Sequence, residues 1–496
     1  MNKYLTKTLF INGTQCLKLL WRTVNKPESL PKITPSDELL FKQGSDVGKL
    51  AMQIFHNGIS LDFPDFNYNI KATTLALKKR VPLFEAGIVE GSCYVRIDIL
   101  APSGQNAWNI IEVKSSTKVK DVYIMDLAFQ KYVCELAGLV IDKVFLMHIN
   151  GEYVRSGDID PNKLFTQEDI TSEVDKFLIA NNISELITEM LKVMVQPIEP
   201  TVSISANCKT PYICPFIDVC WKHLPVNNVF DLSRGGKKSY DLYNRGILEL
   251  ANIPSDIKLT GNQKIQVYCA KSGLEYINIK GIREFLDSLV FPISFLDFET
   301  YSSAIPMFDG MKPFQQISFQ YALSVIQSWQ DSGQRFDFLE KEKKNPLEGF
   351  IKSLISNMPE TGSVVVYNQS FEAGRLKEIS DTYSQYKSWV DDITSRMVDL
   401  LVPLQKFYYY NSSQAGSVSL KKTMPALAGI KYDSLAINEG GFASAMYFKS
   451  IFEDTMTESE KTQLYNNLLE YCGQDTMGMI PMILKLKVLA MGNTGG

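Results

Sequence analysis

The sequence predicts an α/β protein built from more than one domain, and three observations carry that prediction. Strand-like stretches alternate with helix-spaced stretches in two separate parts of the chain, from VRIDIL to KVFLMHIN and from FPISFLDFET to SVVVYN. The 496 residues exceed one core at about 100–200 residues per domain. Hydrophobic residues make up 45% and charged residues 21%, a globular mix that excludes a largely disordered, collagen-like or coiled-coil chain.

Taken in order, VRIDIL and WNIIEVK read as two antiparallel strands joined by the turn-rich PSGQNA. VYIMDLAFQKYVCELAGL follows with helical spacing, and KVFLMHIN reads as a further strand. Residues 166–195 read as a polar helical stretch that leads through Pro197 and Pro200 into a cysteine-rich segment. Polar, Gly-rich text at 227–238 reads as a linker, which sets a boundary near residue 225. Residues 239–289 read as mostly helical, with Tyr243 to Pro254 as a plain connector and a helix-hairpin-helix grip on a DNA backbone as the alternative, and a second α/β domain starts at about residue 288. The expected division is therefore 1–225, a helical connector 226–287, and 288–496, with no internal repeat or low-complexity tract.

Several function classes are excluded or left without support. With 51 Lys+Arg against 55 Asp+Glu the net charge is -4, so a nucleic-acid partner must be met by local patches such as Lys78-Lys-Arg80, Lys118 and Lys120. No apolar run reaches the ~18 residues of a membrane span, and MNKYLTKTLFINGTQCLKLL lacks a signal-peptide core, which makes the cytoplasm the default location. Gly44-Ser-Asp-Val-Gly-Lys49 falls one residue short of a P-loop and is followed by Leu50, so ATP is not implied. His148 and His223 stand alone, and no Ser-His-Asp order is visible.

Three groups of residues carry chemistry. In Tyr94-Val-Arg-Ile-Asp-Ile-Leu100, alternation puts Arg96 and Asp98 on one face, and on the next strand Glu112 and Lys114 share a face. Asp98, Glu112 and the Val113 carbonyl are oxygen ligands suited to a hard divalent cation, and Lys114 is an ammonium beside them, an outline of phosphodiester chemistry. A surface hairpin with an exposed Lys–Glu pair is the alternative reading of the same spacing. Secondly, Cys208, Cys214 and Cys220 fall within thirteen residues at five-residue gaps, interrupted by Pro211 and Pro215, and form a loop rather than a helix. Cys16 supplies a fourth thiol if the N-terminal segment folds back; four thiolates favour a 4Fe–4S cluster, with zinc, which usually takes paired C-x2-4-C, as the alternative. Thirdly, Phe291-Pro-Ile-Ser-Phe-Leu-Asp-Phe-Glu-Thr300 places Asp297 and Glu299 on one face of an apolar strand, where two carboxylates are costly unless paired or metal-bound. Glu372 follows the strand SVVVY, and Tyr471 and Asp475 lie at i, i+4 on one helix face, so four acids can converge; Asp399 reads as a structural acid.

The first group resembles the PD-(D/E)XK nucleases of the RecB type, with Asp98 and Glu112-x-Lys114 as the core motif. The resemblance implies that Gln130 is the trailing glutamine on the next helix, that Glu85 in LFEAG is an additional acid, and that Cys16, Cys208, Cys214 and Cys220 form the iron–sulfur staple of these nucleases. Gly48 stands where a metal-binding His often occurs, and His56 does not fit the motif. The last group resembles the DnaQ-like 3′→5′ exonucleases of the DEDDy pattern: Asp297 and Glu299 as first motif, Glu372 in the second, where Asp is usual, and Asp475 with Tyr471 in the third. That resemblance implies two Mg2+ or Mn2+ ions held by the carboxylates and a water oriented by Tyr471. Together, CKTPYICPF and FLDFET in this order resemble a bacterial family of RecB-like and DnaQ-like nuclease fusions over nearly the whole chain. The implied fold is a restriction-endonuclease-like PD-(D/E)XK domain, a helical connector and an RNase H-like domain, acting on DNA first and RNA second in repair, recombination or defence. The alternative from another class is a nucleic-acid-binding or scaffold protein with one or both sites inactive.

Overall fold

The computed structural model describes residues 4–432 and 435–492 of a mixed α/β protein. It falls into two compact units: one of the chain up to Ile33, Asp37–Lys222 and Ser303–Gln315, the other of Thr34–Ser36, His223–Ser302 and the chain from Gln316 onward. Among the described residues no helix is long and apolar enough to cross a membrane.

The first unit is built on a seven-stranded sheet of β1 (Leu5–Thr6), β2 (Ile59–Ser60), β3 (Leu83–Glu90), β4 (Cys93–Ser103), β5 (Ala107–Lys114), β6 (Val140–Ile149) and β7 (Phe165–Asp169). The order is β2-β3-β4-β5-β6-β7, with β1 alongside β4. β3, β4 and β5 form an antiparallel meander, β6 runs parallel to β5, and β7 returns antiparallel. Alternation in β4 buries Val95, Ile97 and Ile99 completely while Arg96 and Asp98 stay half-buried. The helix Asp121–Leu136 lays Leu127, Ala128, Phe129 and Val133 on the sheet, and the helices Lys7–Gln15 and Leu17–Asn25 add Phe10, Leu20 and Trp21 to the same core. Phe10 and Phe129 stack at 4.6 Å between ring centroids.

The second unit has a five-stranded sheet of β9 (Ile293–Tyr301), β10 (Ile317–Ile326), β11 (Gln334–Leu339), β12 (Val364–Val366) and β13 (Met397–Asp399), in the order β11-β10-β9-β12-β13. β9, β10 and β11 are antiparallel; β12 and β13 run parallel to β9. The small pair β8 (Tyr276–Ile277) and β14 (Tyr409–Tyr410) lies outside that sheet. The helix Glu458–Met491, started by the Thr457/Glu460 capping box, runs against β9 and β10 and is tied to β10 by Gln320 Nε2 donating to the Leu468 carbonyl at 2.7 Å.

Three expectations need correction. Residues 166–195 are not all helical: 165–169 form the edge strand β7, paired with β6 from Phe145↔Asp169 to Ile149↔Phe165, before the helices Thr171–Ala180 and Ile183–Val195. Thr, Gln, Glu and Asp on a half-solvated edge carry too little apolar alternation to be read as a strand. The expected linker at 227–238 is packed instead. Its Val229 and Leu232 are buried with Leu242, Leu250, Ile253 and Val267 in a small core of their own. Residues 226–287 accordingly belong to the second unit, where Arg283 donates to the Ala490 carbonyl at 2.8 Å, and 303–315, expected in the last domain, pack with the first unit.

Candidate active sites and metal centre

The first centre is positioned by the β4–β5 hairpin and the helix that follows. Asp98 Oδ2 accepts the Val113 N–H at 2.9 Å, which fixes this acid against the next strand. Glu112, 1% exposed, takes Lys114 Nζ on Oε1 at 2.6 Å and Gln130 Nε2 on Oε2 at 2.8 Å. Gln130 also donates to Asp126 at 2.9 Å, and Lys114 reaches Asp126 at 3.0 Å. Glu85 stands opposite Asp98 in unbroken register: Phe84 pairs with Ile99 and Ala86 with Ile97, and Glu85 between them has φ +58°. Burial, with Asp98 adding, pushes its carboxyl up to about 7.

Lys7 enters the same centre. Its ammonium lies 3.3 Å from Asp98 Oδ1 and 2.9 Å from Glu112 Oε1. Burial opposes charge throughout the group, but the pairing decides the outcome. Glu112 is drawn down to about 2, against burial, by Lys114 and Lys7, and both lysines are held above their ordinary range by the acids around them. Asp98 stays raised, first by burial and then by Glu112.

The cysteine centre lies in the same unit. Cys16 joins the helices Lys7–Gln15 and Leu17–Asn25, Cys208 ends a short 3-10 turn, and Cys220 lies in the helix Ile217–Trp221. The structure brings Cys16, Cys208, Cys214 and Cys220 to one cavity. Gln15 Nε2 ties the loop to the first helix by donating to the carbonyls of Asn207 and Tyr212, each at 2.7 Å. Burial raises the Cys220 thiol, with Lys18 and Arg22 opposing.

In the second unit, β9 and the helix Glu458–Met491 bring Asp297, Glu299 and Asp475 together with one carboxylate oxygen from each within 4.8 Å of the others. Burial raises all three, with repulsion from neighbouring acids adding at Asp297 and Glu299: Asp297 lies far above its ordinary value, Glu299 at about 8 and Asp475 at about 6. Cys472 Sγ donates to Asp297 Oδ2 at 3.4 Å, and the Tyr432 hydroxyl donates to Asp475 Oδ1. The Tyr471 hydroxyl and Glu299 Oε2 both lie 3.8 Å from the point where a Cβ on Gly440 would stand, so the two groups border one space beside that glycine. Glu372, in the first turn of the helix Gln369–Thr382, faces Asp297 but stands outside the three-acid cluster. Its Oε2 is buried without a hydrogen-bond partner and its carboxyl is pushed up to about 8, chiefly by burial. Asp399 accepts the backbone N–H groups of Asn368, Gln369 and Leu401, a structural role.

Four contributors escaped the sequence reading. Asp126 carried a usable signal, i, i+4 to Gln130 on one helix face. Lys7, Tyr432 and Lys421, whose charge lowers Glu299 and Asp475, come from remote segments with no local pattern.

Comparison with known proteins adds sequence kinship. A domain of unknown function (DUF2779) matches residues 294–419, which include Asp297, Glu299 and Glu372 and stop short of Tyr471 and Asp475. The chain is 29% identical over 218 residues to the uncharacterized protein MG366 of Mycoplasma genitalium, covering 40% of this chain and 32% of that protein. It is 23% identical over 462 residues to the uncharacterized protein UU173 of Ureaplasma parvum, covering 79% of this chain and 64% of the relative. The chain thus spans about a third of the length of MG366 and less than two thirds of UU173. No solved structure matches it.

Proposed function

We propose that the protein is a metal-dependent nuclease with two active sites, hydrolysing phosphodiester bonds in DNA first and RNA second. The observation that carries this reading is the cluster Asp297, Glu299 and Asp475: three acids within 4.8 Å of one another, raised chiefly by burial, offer oxygen ligands for divalent cations. Its setting supports an RNase H-like, DnaQ-type domain, since Asp297 and Glu299 come from the central strand of a sheet with three antiparallel and two parallel strands and Asp475 from the helix packed against it. In the first unit, Asp98 on the second strand of an antiparallel meander, Glu112 and Lys114 on the third and Gln130 on the next helix support the PD-(D/E)XK reading.

Asp98 and Glu112, and in the second unit Asp297, Glu299 and Asp475, are the residues to hold Mg2+ or Mn2+, with Glu372 beside them. Bound ions would supply an activated water and charge stabilisation at the leaving oxygen. Lys114, fixed between Glu112 and Asp126, places a positive charge for the attacked phosphate, and Tyr471 orients water beside Glu299. A cleft of about 320 Å³ next to the first centre, lined by Lys7, Arg96, Phe66 and Tyr94, combines cations for phosphates with aromatic faces for bases.

The four cysteines are assigned to a 4Fe–4S cluster that fastens residue 16 to residues 208–220. Four thiols lining one cavity suit such a cluster, with zinc as the alternative. Anaerobically purified protein should be brown and should contain iron and sulfide; zinc alone would remove this assignment. A second reading, in which the first unit only binds nucleic acid, is favoured by the ammonium of Lys7 between its acids. Digestion of end-labelled single- and double-stranded DNA and RNA with Mg2+ or Mn2+ tests both. Cleavage that requires Asp98 supports two active sites, and the absence of any metal-dependent cleavage refutes the nuclease.

A further inference from the structure

We propose that Lys7 is a built-in counter-cation that keeps divalent metal out of the first centre until its ammonium swings away. The inference rests on the reading of Asp98 and Glu112 as metal ligands. Each of these acids has one oxygen committed elsewhere: Asp98 Oδ2 to the Val113 N–H at 2.9 Å, Glu112 Oε2 to Gln130 at 2.8 Å. The remaining pair, Asp98 Oδ1 and Glu112 Oε1, is the pair that shares the Lys7 ammonium, at 3.3 and 2.9 Å. A small divalent ion binds carboxylate oxygens at about 2.0–2.1 Å. On those same two oxygens it would lie within a few ångströms of the ammonium, where like charges in a largely buried site repel strongly. Metal and Lys7 therefore exclude each other.

The movement required is confined to the side chain. The backbone around Lys7 is held at both ends: Leu5 and Thr6 pair with Cys93 and Tyr94, Thr6 caps the helix Lys7–Gln15, and Gln15 is bonded to the cysteine loop. Lys7 itself has a flexible four-carbon stem, is 27% exposed and lines the open cleft shared with Arg96, so it has a route to solvent. Lys114 differs. It shares Glu112 Oε1 with Lys7 at 2.6 Å but is anchored by Asp126 as well, and neither of its bonds is to Asp98 Oδ1, so of the two lysines Lys7 alone bridges both oxygens.

The test measures Mn2+ binding by electron paramagnetic resonance in the full chain carrying Asp297→Asn and Asp475→Asn, so that the second cluster is silent. Lys7→Met should tighten Mn2+ binding by about tenfold or more, an ordinary size for coupling between two occupants, whereas Lys7→Arg should stay within about threefold of the parent. Adding Asp98→Asn should abolish the binding and so locate it. In the protein with native Lys7, saturation with Mn2+ should also raise labelling of Lys7 by an amine reagent, read by mass spectrometry, about threefold or more; this arm needs no Lys7 variant to fold. Equal Mn2+ affinity in the parent and in the Lys7→Met variant, or Lys7 labelling unmoved by Mn2+, overturns the inference and leaves the nuclease reading standing. No Asp98-dependent Mn2+ binding in any variant overturns both.

Discussion

The two carboxylate centres contain similar acids and solve the cost of burying them in opposite ways. In the first, Asp98, Glu112 and Asp126 are threaded by two ammonium groups, and Glu112 is held at about 2. In the second, Asp297, Glu299 and Asp475 form no ion pair among the described residues; Lys421 acts on them only at a distance, and their carboxyls are raised. The first centre thus carries its own counter-charges, whereas the second lowers the cost of burial by raising its carboxyls toward the protonated form. Burial of a charge is tolerable when a counter-charge is supplied, whether by the chain or by an ion.

The comparison can be broken most sharply at the level of chemistry. With Asp98→Ala silencing the first centre, Asp475→Asn should reduce release of mononucleotides from 3′-labelled strands by at least about 10²-fold, the scale of losing a group that stabilises developing charge. If 3′-dependent release is untouched, the second cluster is not catalytic. Lys114→Ala should have a comparable effect on cleavage that depends on Asp98, and it should also destabilise the first unit by about 2 kcal/mol, because Glu112 and Asp126 lose a partner in a buried site. Chemical denaturation measures that loss; an unchanged unfolding free energy would mean that Lys7 compensates alone.

Smaller effects sharpen the contrast. Asp297→Asn should stabilise the metal-free protein by about 1 kcal/mol, since a repelled acid is removed, and the gain should vanish when Mn2+ is present. The pH dependence should also have opposite signs. Glu299, raised from 4.5 to about 8, binds protons in the folded state that the unfolded chain has released, so its contribution to stability falls as pH rises through that window. Glu112, lowered from 4.5 to about 2, contributes stability above 4.5 that is lost as pH falls through 2. Thermal melts against pH, with and without Mn2+, should show the alkaline loss only without metal.

Much of this is legible in the sequence. Asp98, Glu112 and Lys114 are fixed by a two-residue period on adjoining strands, and Tyr471 and Asp475 by a helical turn, so local geometry reaches them. Lys7 is 91 residues from Asp98 and Tyr432 is 43 from Asp475, and only tertiary packing brings such partners together. Glu372 was expected among the metal-binding acids; the structure sets it beside Asp297 with an unpartnered oxygen, because the helix that carries it approaches the cluster from its first turn. The edge strand at 165–169 and the buried Val229 and Leu232 were hidden by polar neighbours.

The excursion at Ser303–Gln315 bears on how this protein can be taken apart. The segment lies between the acid-bearing strand β9 and its partner β10, yet Ala304 joins the core of the first unit, and Arg155 binds the carbonyls of Pro306 and Met307. No single cut in the polypeptide therefore yields both units whole. A piece ending near residue 225 would lack a stretch that its own core requires, and a piece beginning near 288 would carry that stretch with nothing to cover it. The two halves are separable as architectures but not as genes.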